Sequence, residues 1–120
     1  MYIRSTIDKT MINNVANITT TALQNASKTL EVSANNVANI QSKGQVSGTQ
    51  ENGKPFVARR AESISRVEGG VSTKITQTNS PVNLEQEIVN QQFASYQFDA
   101  SLKVLKEANE TTGQLLDILA

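Results

Sequence analysis

The chain contains 120 residues, of which 38% are hydrophobic, 4% aromatic and 18% charged, with eleven basic residues balancing eleven acidic ones. This length predicts a single structural unit, and the scarcity of aromatic residues predicts a thin core that depends partly on partner chains for stability. A net charge of zero argues against nucleic acid as a partner, and the lack of Cys and His removes thiolate catalysis, the commonest general base and the commonest metal ligand.

The composition divides the chain into three segments of one structural unit. Residues 1–44 are predicted to form an N-terminal helical assembly segment, residues 45–80 a loop and β-hairpin insertion, and residues 81–120 a C-terminal coiled-coil helix. No stretch approaches the roughly 20 apolar residues of a membrane span, and the first ten residues lack the apolar core of a signal peptide. We therefore expect no membrane insertion and no cleavable export signal.

The N-terminal segment has the periodicity of a helix with a narrow contact face. Alternating steps of three and four residues define a seam of Ala16, Thr19, Leu23, Ala26, Leu30, Ser33, Val37 and Ile40. Half of these residues are small or hydroxylated, so the seam permits a close helix approach but buries little area. Seven Asn residues between Asn13 and Asn39 disfavour this helix when it is alone in water, and Gly44 is positioned to end it.

The middle segment predicts a hairpin preceded by a loop. The runs Val57–Val67 and Val71–Thr76 flank Glu68 and the pair Gly69–Gly70, which permits the positive φ of a tight turn. Alternation is clean only in Val71, Thr73 and Ile75. An isolated hairpin is weak, so we expect a third strand or a helix beneath it. The preceding stretch Gln45–Lys54 is predicted to be a mobile loop.

The C-terminal segment predicts one long helix from near Asn83 to Leu119. Pro81 cannot continue an upstream helix, Asn83 can cap the new one, and Gln86 stands three residues later in a capping-box arrangement. A sustained heptad seam comprises Leu84, Ile88, Gln91, Ser95, Phe98, Leu102, Leu105, Asn109, Thr112, Leu116 and Leu119. A second apolar stripe, on another face, comprises Val89, Phe93, Tyr96, Ala100 and Val104. One partner helix cannot cover both, so we expect neighbours on more than one side.

Few residues have a pattern typical of chemistry. Glu85 and Glu87 point in different directions on a helix, and we expect both to be solvated carboxylates that complement the helix dipole. Gly69–Gly70 lacks the spacing of a phosphate-binding loop. The sequence therefore predicts no catalysis, no cofactor, no metal site and no small-molecule substrate.

One concentration of basic residues has two interpretations. It consists of Lys54, Arg59, Arg60 and Arg66. These residues either face an acidic partner or polyanion, or are ordinary strand-edge charges that limit aggregation. The second interpretation is favoured, because Phe56 is the only aromatic residue among them and the net charge is zero.

Two stretches resemble the signatures of a known family. Ala26–Gly44, written ASKTLEVSANNVANIQSKG, resembles the N-terminal signature of the bacterial flagellar axial proteins, in which a Leu-bearing helix runs into an A-N-N-[IV]-A-N segment and a Thr-Pro-Gly turn. The motif residues here are Ala34, Asn35, Asn36, Val37, Ala38, Asn39 and Gly44. Val82–Leu119 resembles the C-terminal signature of that family, with matches at Val82–Leu84, Glu87–Val89, Ala100, Lys103–Leu105 and Leu115–Ile118.

The match has departures from the family pattern. Ser42-Lys43-Gly44 replaces Thr-Pro-Gly, which predicts a looser turn after the first helix. Gln91 and Gln92 stand where apolar residues are common, and Phe98 stands where Tyr is common. These changes soften the intersubunit packing that the resemblance implies but leave the heptad frame intact.

The short middle segment makes the chain most similar to a short proximal rod protein of the basal body, of the rod-C type. The resemblance implies a structural subunit that leaves the cell through the flagellar export apparatus and joins other rod subunits in a torque-transmitting tube across the periplasm. It also implies a mainly α fold, with the terminal helices paired as an antiparallel coiled coil. A free-standing helical adaptor or secreted filament subunit outside the flagellum is the alternative, and an enzyme subunit with its chemistry on another chain is a remote third.

The resemblance assigns assembly and packing roles to residues in both seams. They are Leu23, Leu30, Val37, Ile40, Leu84, Ile88, Phe98, Leu102, Leu105, Leu116 and Leu119. Asn35, Asn36 and Asn39 have two equally weighted interpretations: they hydrogen-bond exposed backbone at the helix end or in an adjacent subunit, or they only cap and end their own helix.

Overall fold

Two long helices and a small hairpin make up the fold. The computed structural model describes residues 2–40 and 56–119, in the order α1 (Tyr2–Ala38), β1 (Arg59–Ser65), β2 (Val71–Gln77) and α2 (Leu84–Leu119). The helices have 37 and 36 residues, and the molecule measures 67 × 24 × 19 Å. The predicted class, mainly helical with a small hairpin between two paired helices, is confirmed.

The helices run antiparallel. The Ser33 hydroxyl, near the end of α1, donates to the carbonyl of Glu87 in the first turn of α2. At the other end of the pair, Ile12 and Val15 line one groove with Val104 and Ala108. The chain therefore reverses direction between the helices, and the hairpin belongs to the connection. The predicted helix end at Gly44, the turn Ser42–Gly44 and the loop Gln45–Lys54 lie outside the described residues.

The start of α2 is fixed by the predicted cap. Asn83 Oδ1 accepts the Gln86 N–H at 3.2 Å, and the Asn83 carbonyl accepts the first helical bond from Glu87 N at 3.0 Å. The Gln86 side chain donates forward to Asn90 Oδ1 at 3.1 Å. The cap therefore satisfies a backbone donor that the helix itself leaves unpaired.

The α2 face that packs on α1 follows a heptad that differs in phase from the predicted seam. Buried and half-buried side chains recur in steps of four and three, at Glu87, Gln91, Ala94, Phe98, Ser101, Leu105, Ala108, Thr112 and Leu115. Six members of the predicted seam are exposed instead: Leu84, Ile88, Ser95, Leu102, Asn109 and Leu116. Small residues at Ala94, Ser101 and Ala108 allow the helix axes to approach closely on the observed face.

The α1 side of this contact agrees more closely with the sequence pattern. Thr19, Ala26 and Ser33 are buried, whereas Leu30 is exposed. Ala26 and Ala94 lie one heptad inward from the Ser33–Glu87 contact on their respective helices, and each is only 1% exposed. Because both alanines are almost completely buried, this contact is sensitive to side-chain volume.

The hairpin is antiparallel, with Ala61 opposite Ile75 and Ser63 opposite Thr73. The predicted glycine pair makes the turn, since Gly69 and Gly70 have φ of 95° and 82°. β2 begins at Val71 as predicted, whereas β1 covers only Arg59–Ser65 of the predicted Val57–Val67. The turn begins at Arg66, whose carbonyl accepts the Gly69 N–H at 3.1 Å. The expected support beneath the hairpin is α1.

Candidate functional site

Asn36 lies where α1, β1 and α2 meet. Its Nδ2 donates to the Arg59 carbonyl at 2.8 Å and to Glu87 Oε1 at 2.9 Å, and its Oδ1 accepts the Arg59 N–H at 2.9 Å. The side chain is 0% exposed. These bonds match neither interpretation given for this residue, because Asn36 pairs with the backbone of β1 in the same chain and not with backbone at the helix end or in an adjacent subunit.

Glu87 is buried, contrary to the expectation that it is a solvated first-turn carboxylate. It is only 5% exposed and accepts a bond from Asn36. Its neighbour in sequence, Glu85, is exposed as expected. Burial of a carboxylate requires hydrogen-bond donors and favourable charge, and Glu87 has both in the Asn36 amide and the N-terminal end of the α2 dipole. Every buried side-chain N or O atom in the described ranges has a hydrogen-bond partner.

Two further polar residues of α1 hold the hairpin, and no sequence motif singles them out. Asn25 Oδ1 accepts hydroxyl bonds from Ser63 and Thr73, both at 2.9 Å, and so joins the two strands on their inner face. Thr21 Oγ1 accepts the Val71 N–H at 3.0 Å at the start of β2. Both residues lie on the same face of α1 as Asn36, and this spacing could have identified them. Their partners lie more than twenty residues away in the sequence, so the spacing alone did not show what they bind.

The remaining motif residues are more exposed than Asn36. Asn39 Nδ2 donates to the Asn35 carbonyl at 2.8 Å, which is a local bond at the end of the helix. Asn35, Ala34 and Ala38 are exposed, and Val37 is half-buried. Among the described motif residues, Asn36 alone makes a bond to a residue distant in sequence.

One side face of α2, which α1 does not cover, is apolar over much of its length. The second predicted stripe lies here: Phe93 and Tyr96 are 66% and 71% exposed, and Val89 and Val104 are also exposed. The exposed residues of the predicted seam form a separate stripe on α2, made of Leu84, Ile88, Leu102 and Leu116. A ridge of exposed charged residues separates the two stripes: Glu85, Asp99, Lys103, Lys106, Glu110 and Asp117.

The predicted assembly residues therefore separate into two groups within one chain. Those in or beside the contact between the helices are half-buried: Leu23, Val37, Ile40, Phe98 and Leu105. The others are exposed: Leu30 on α1, and Leu84, Ile88, Leu102 and Leu116 on α2. The side chain of Leu119 and all of Gly44 lie outside the described residues.

The basic residues lie on the hairpin and are exposed at Arg59, Arg60 and Arg66. Lys54 lies outside the described part. In the ranges that the structure covers, no group of three or more Asp or Glu side chains is arranged to hold a metal ion. Neither helix carries, over its described length, an apolar stretch sufficient to cross a bilayer.

Comparison with known proteins adds no assignment. The chain matches no protein-family model, and no curated protein matches it at a significant level.

Proposed function

We propose that the chain is a structural subunit of the bacterial flagellar basal-body rod. It assembles with copies of itself and with other rod subunits through its terminal helices, and the resulting periplasmic tube transmits torque for motility. The flagellar export apparatus carries it out of the cytoplasm. The proposal assigns it no catalysis, no cofactor and no nucleic-acid partner.

The observation that carries this proposal is the exposed apolar stripe on α2, made of Val89, Phe93, Tyr96 and Val104. Large apolar side chains exposed along several turns cost free energy in water, which is recovered when a neighbouring surface covers them. Tyr96 lies in this stripe and is 71% exposed, and Phe93 lies where the stripe borders the space between α2 and β1. The resemblance of Ala26–Gly44 and Val82–Leu119 to flagellar axial signatures supplies the identity of the neighbours in this proposal.

The shape of the molecule suits such a role. A rod 67 Å long and at most 24 Å wide presents most of its surface along its sides, so lateral contacts dominate any assembly of it. The hairpin is hydrogen-bonded to α1 through Asn36 and Thr21, and it leaves the two apolar stripes of α2 exposed. Stripes on separate faces of one helix allow each subunit to contact more than one neighbour, as a tube wall requires.

Substitution of the Tyr96 stripe tests the proposal in the bacterium that encodes the chain. Tyr96→Asp combined with Val89→Asp places two charges on exposed apolar positions that line no groove shared with α1. We expect export to continue while rod assembly and swimming in soft agar are lost. Lys106→Gln combined with Gln114→Asp makes the same change of net charge at exposed positions of α2 outside both stripes and should leave motility unchanged.

Deletion of the gene separates the proposal from its alternative. Loss of swimming with basal bodies that lack a complete rod, restored by the wild-type gene, is the expected result. Normal motility and intact rods after deletion would reject a flagellar role and favour a helical adaptor or a filament subunit outside the flagellum.

A further inference from the structure

The outer edge of β1 carries backbone groups that β2 does not use. The pairing of Arg66 N with the Gly70 carbonyl, and of Thr78 N with the Ala58 carbonyl, shows that even-numbered residues of β1 bond to β2. Odd-numbered residues therefore direct their N–H and C=O groups away from β2. Ala61 and Ser63 are such residues, and within the described residues no backbone group pairs with this edge of the two-stranded sheet.

Asn36 already pairs with this edge in the manner of a neighbouring strand. Arg59 is the first odd-numbered residue of β1, and its N–H and C=O both bond to the Asn36 side-chain amide. A side-chain amide has the same donor and acceptor as a peptide group. The edge is therefore closed at Arg59, and the next pairing positions along it are Ala61 and Ser63.

A groove separates this edge from α2. No Cα atom of β1 lies within 8 Å of a Cα atom of α2, and the space between them is a cavity of about 740 Å³. β1 lines one side with Ala61 and Ser63, and α1 forms the floor with Thr29 and Val32. A strand placed against β1 needs about 4.8 Å of separation and about 3.3 Å of length per residue, so the space suits a short extended segment.

The α2 wall of the groove offers hydrogen bonds and one apolar contact. It presents the amides of Asn83, Gln86, Asn90 and Gln97, together with the ring of Phe93. Amides act as both donors and acceptors, so they accommodate Ser, Thr, Asn or Gln side chains of an incoming segment.

The charge of the groove favours a neutral or acidic occupant. Arg59 and Arg60 are its exposed charged residues, whereas the lining carboxylate of Glu87 is buried and bonded to Asn36. Arg59 and Arg60 project from opposite faces of β1, so a carboxylate on the occupant at this end of the strand would lie near one guanidinium group and no exposed acid of the lining.

We propose that this groove binds an extended peptide segment of a partner protein as a third strand on β1. The segment pairs with the N–H and C=O groups of Ala61 and Ser63, turns polar side chains toward the α2 amides, and places an acidic residue near Arg59 or Arg60. This is strand addition at an open sheet edge, in which main-chain bonds give affinity and the facing wall gives selectivity.

The opposite edge of the hairpin does not offer an equivalent site. The depression there has a volume of about 540 Å³, and α1 and the hairpin line it without a contribution from α2. The Val71 N–H at that edge is already bonded to Thr21. A segment there would have a sheet edge but no facing wall.

A matched pair of proline variants tests the proposal. Ala61 and Ile75 face each other across the hairpin, and both point their N–H groups outward, Ala61 into the groove and Ile75 to the opposite edge. Ala61→Pro removes a donor to the incoming strand and leaves the β1–β2 bonds in place, and Ile75→Pro makes the same change on the other edge. Circular dichroism and thermal unfolding of both variants check that each is folded.

The probe is a random eight-residue peptide library displayed on phage and selected on the purified full chain. We expect enriched sequences with β-branched and hydroxyl residues and at least one acid. Synthetic forms of these peptides should bind Ala61→Pro at least about fivefold more weakly than wild type, as expected for one lost hydrogen bond, and Ile75→Pro within about twofold of wild type. Methylation of alternate backbone nitrogens in the peptide provides a second test that leaves the protein unchanged, and in the one register that faces β1 it should abolish binding.

Several results would overturn the proposal. One is a selection in which no peptide is enriched on wild type relative to the Ala61→Pro protein. The others are equal binding of the peptides to the two proline variants, and binding that persists whichever of the two registers of the peptide backbone is methylated. Self-association of the chain that Ala61→Pro abolishes would assign the edge to a second copy instead of a partner peptide.

Discussion

The side-chain amide of Asn36 pairs with both backbone groups of Arg59, 23 residues away, at 2.8 and 2.9 Å. The same amide nitrogen also donates to Glu87, so one buried side chain fixes the start of β1 relative to both helices. Because each atom of the amide has a partner, the site depends on the chemistry of Asn and not only on its size.

Asn36→Asp tests that dependence. The substitution keeps the shape but replaces the donor with an oxygen, which then faces the Arg59 carbonyl and the Glu87 carboxylate. We expect the free energy of unfolding to fall by about 3 kcal/mol, because the buried carboxylate would face two acceptors and keep only the Arg59 N–H as a donor. Urea denaturation measures it, and Asn35→Asp on the exposed adjacent position is the control, with a change within about 0.5 kcal/mol. Equal loss in the two variants would contradict the assignment.

Two glycine substitutions should change stability in opposite directions. At Gly70, with φ of +82°, a Cβ atom would lie 2.4 Å from Thr21 Oγ1, the acceptor of the Val71 N–H. Gly70→Ala should therefore destabilise by about 1–3 kcal/mol. Gly113 lies inside α2, where an added Cβ atom would meet nothing within 4 Å, so Gly113→Ala should stabilise by about 0.5–1 kcal/mol. Thermal unfolding compares them, and a shift of the same sign in both would refute this account.

Overpacking should identify the closest approach of the helices. Ala26→Leu or Ala94→Leu inserts a larger side chain where each alanine is only 1% exposed, and we expect a loss of about 1–3 kcal/mol. Ala34→Leu makes the same change on the exposed side of α1 and should cost little. Equilibrium unfolding in urea provides the measurement. A neutral Ala26→Leu would mean that the helices are farther apart in solution.

Amide exchange should differ between the two halves of α1. Residues 25–36 contact both α2 and the hairpin, through Asn25, Ser33 and Asn36, whereas residues 9–15 contact α2 alone. We expect exchange at 9–15 to be on the order of tenfold faster in dilute monomer. Hydrogen exchange read by mass spectrometry or NMR resolves the segments. Slow, uniform exchange along the whole helix would contradict this and would also count against stability that depends on partners.

Features set by neighbouring residues were predictable from the sequence. Asn83 caps α2 because its side chain reaches an N–H three residues on, and the Gly69–Gly70 turn forms because only glycine readily adopts two successive positive φ values. The class of fold followed from long helical periodicity on either side of such a turn.

The phase of the heptad in α2 was not predictable in the same way. Gln91, Phe98, Leu105 and Thr112 belong to both the predicted and the observed face, and the choice between the two depends on the residues that flank them. Hydrophobicity favoured Leu84, Ile88, Leu102 and Leu116, whereas the structure packs the side with Ala94, Ser101 and Ala108. The close approach of the helices and the polar contacts of Glu87 depend on both helices together. The residue pattern of α2 alone therefore does not predict them.

The candidate site was also only partly predictable from the sequence. The motif directed attention to Asn36 but did not identify its role, since the partner that defines this role is 23 residues away in β1. Glu87 resembled any first-turn carboxylate until its donor, 51 residues earlier, was known. Buried polar groups are specified by pairs of residues, so sequence proximity gives little information about them.

The charged ridge that divides the two exposed stripes of α2 has a consequence for the proposed assembly. A contact between the stripe of Tyr96 on one copy and the stripe of Leu102 on the next joins two different surfaces. Each added copy then leaves one unoccupied stripe to which a further copy can bind. Such head-to-tail addition does not stop at a dimer, and only curvature that closes a ring or winds a helix gives it a defined width. Its onset would be set by a critical concentration, below which the chain stays monomeric.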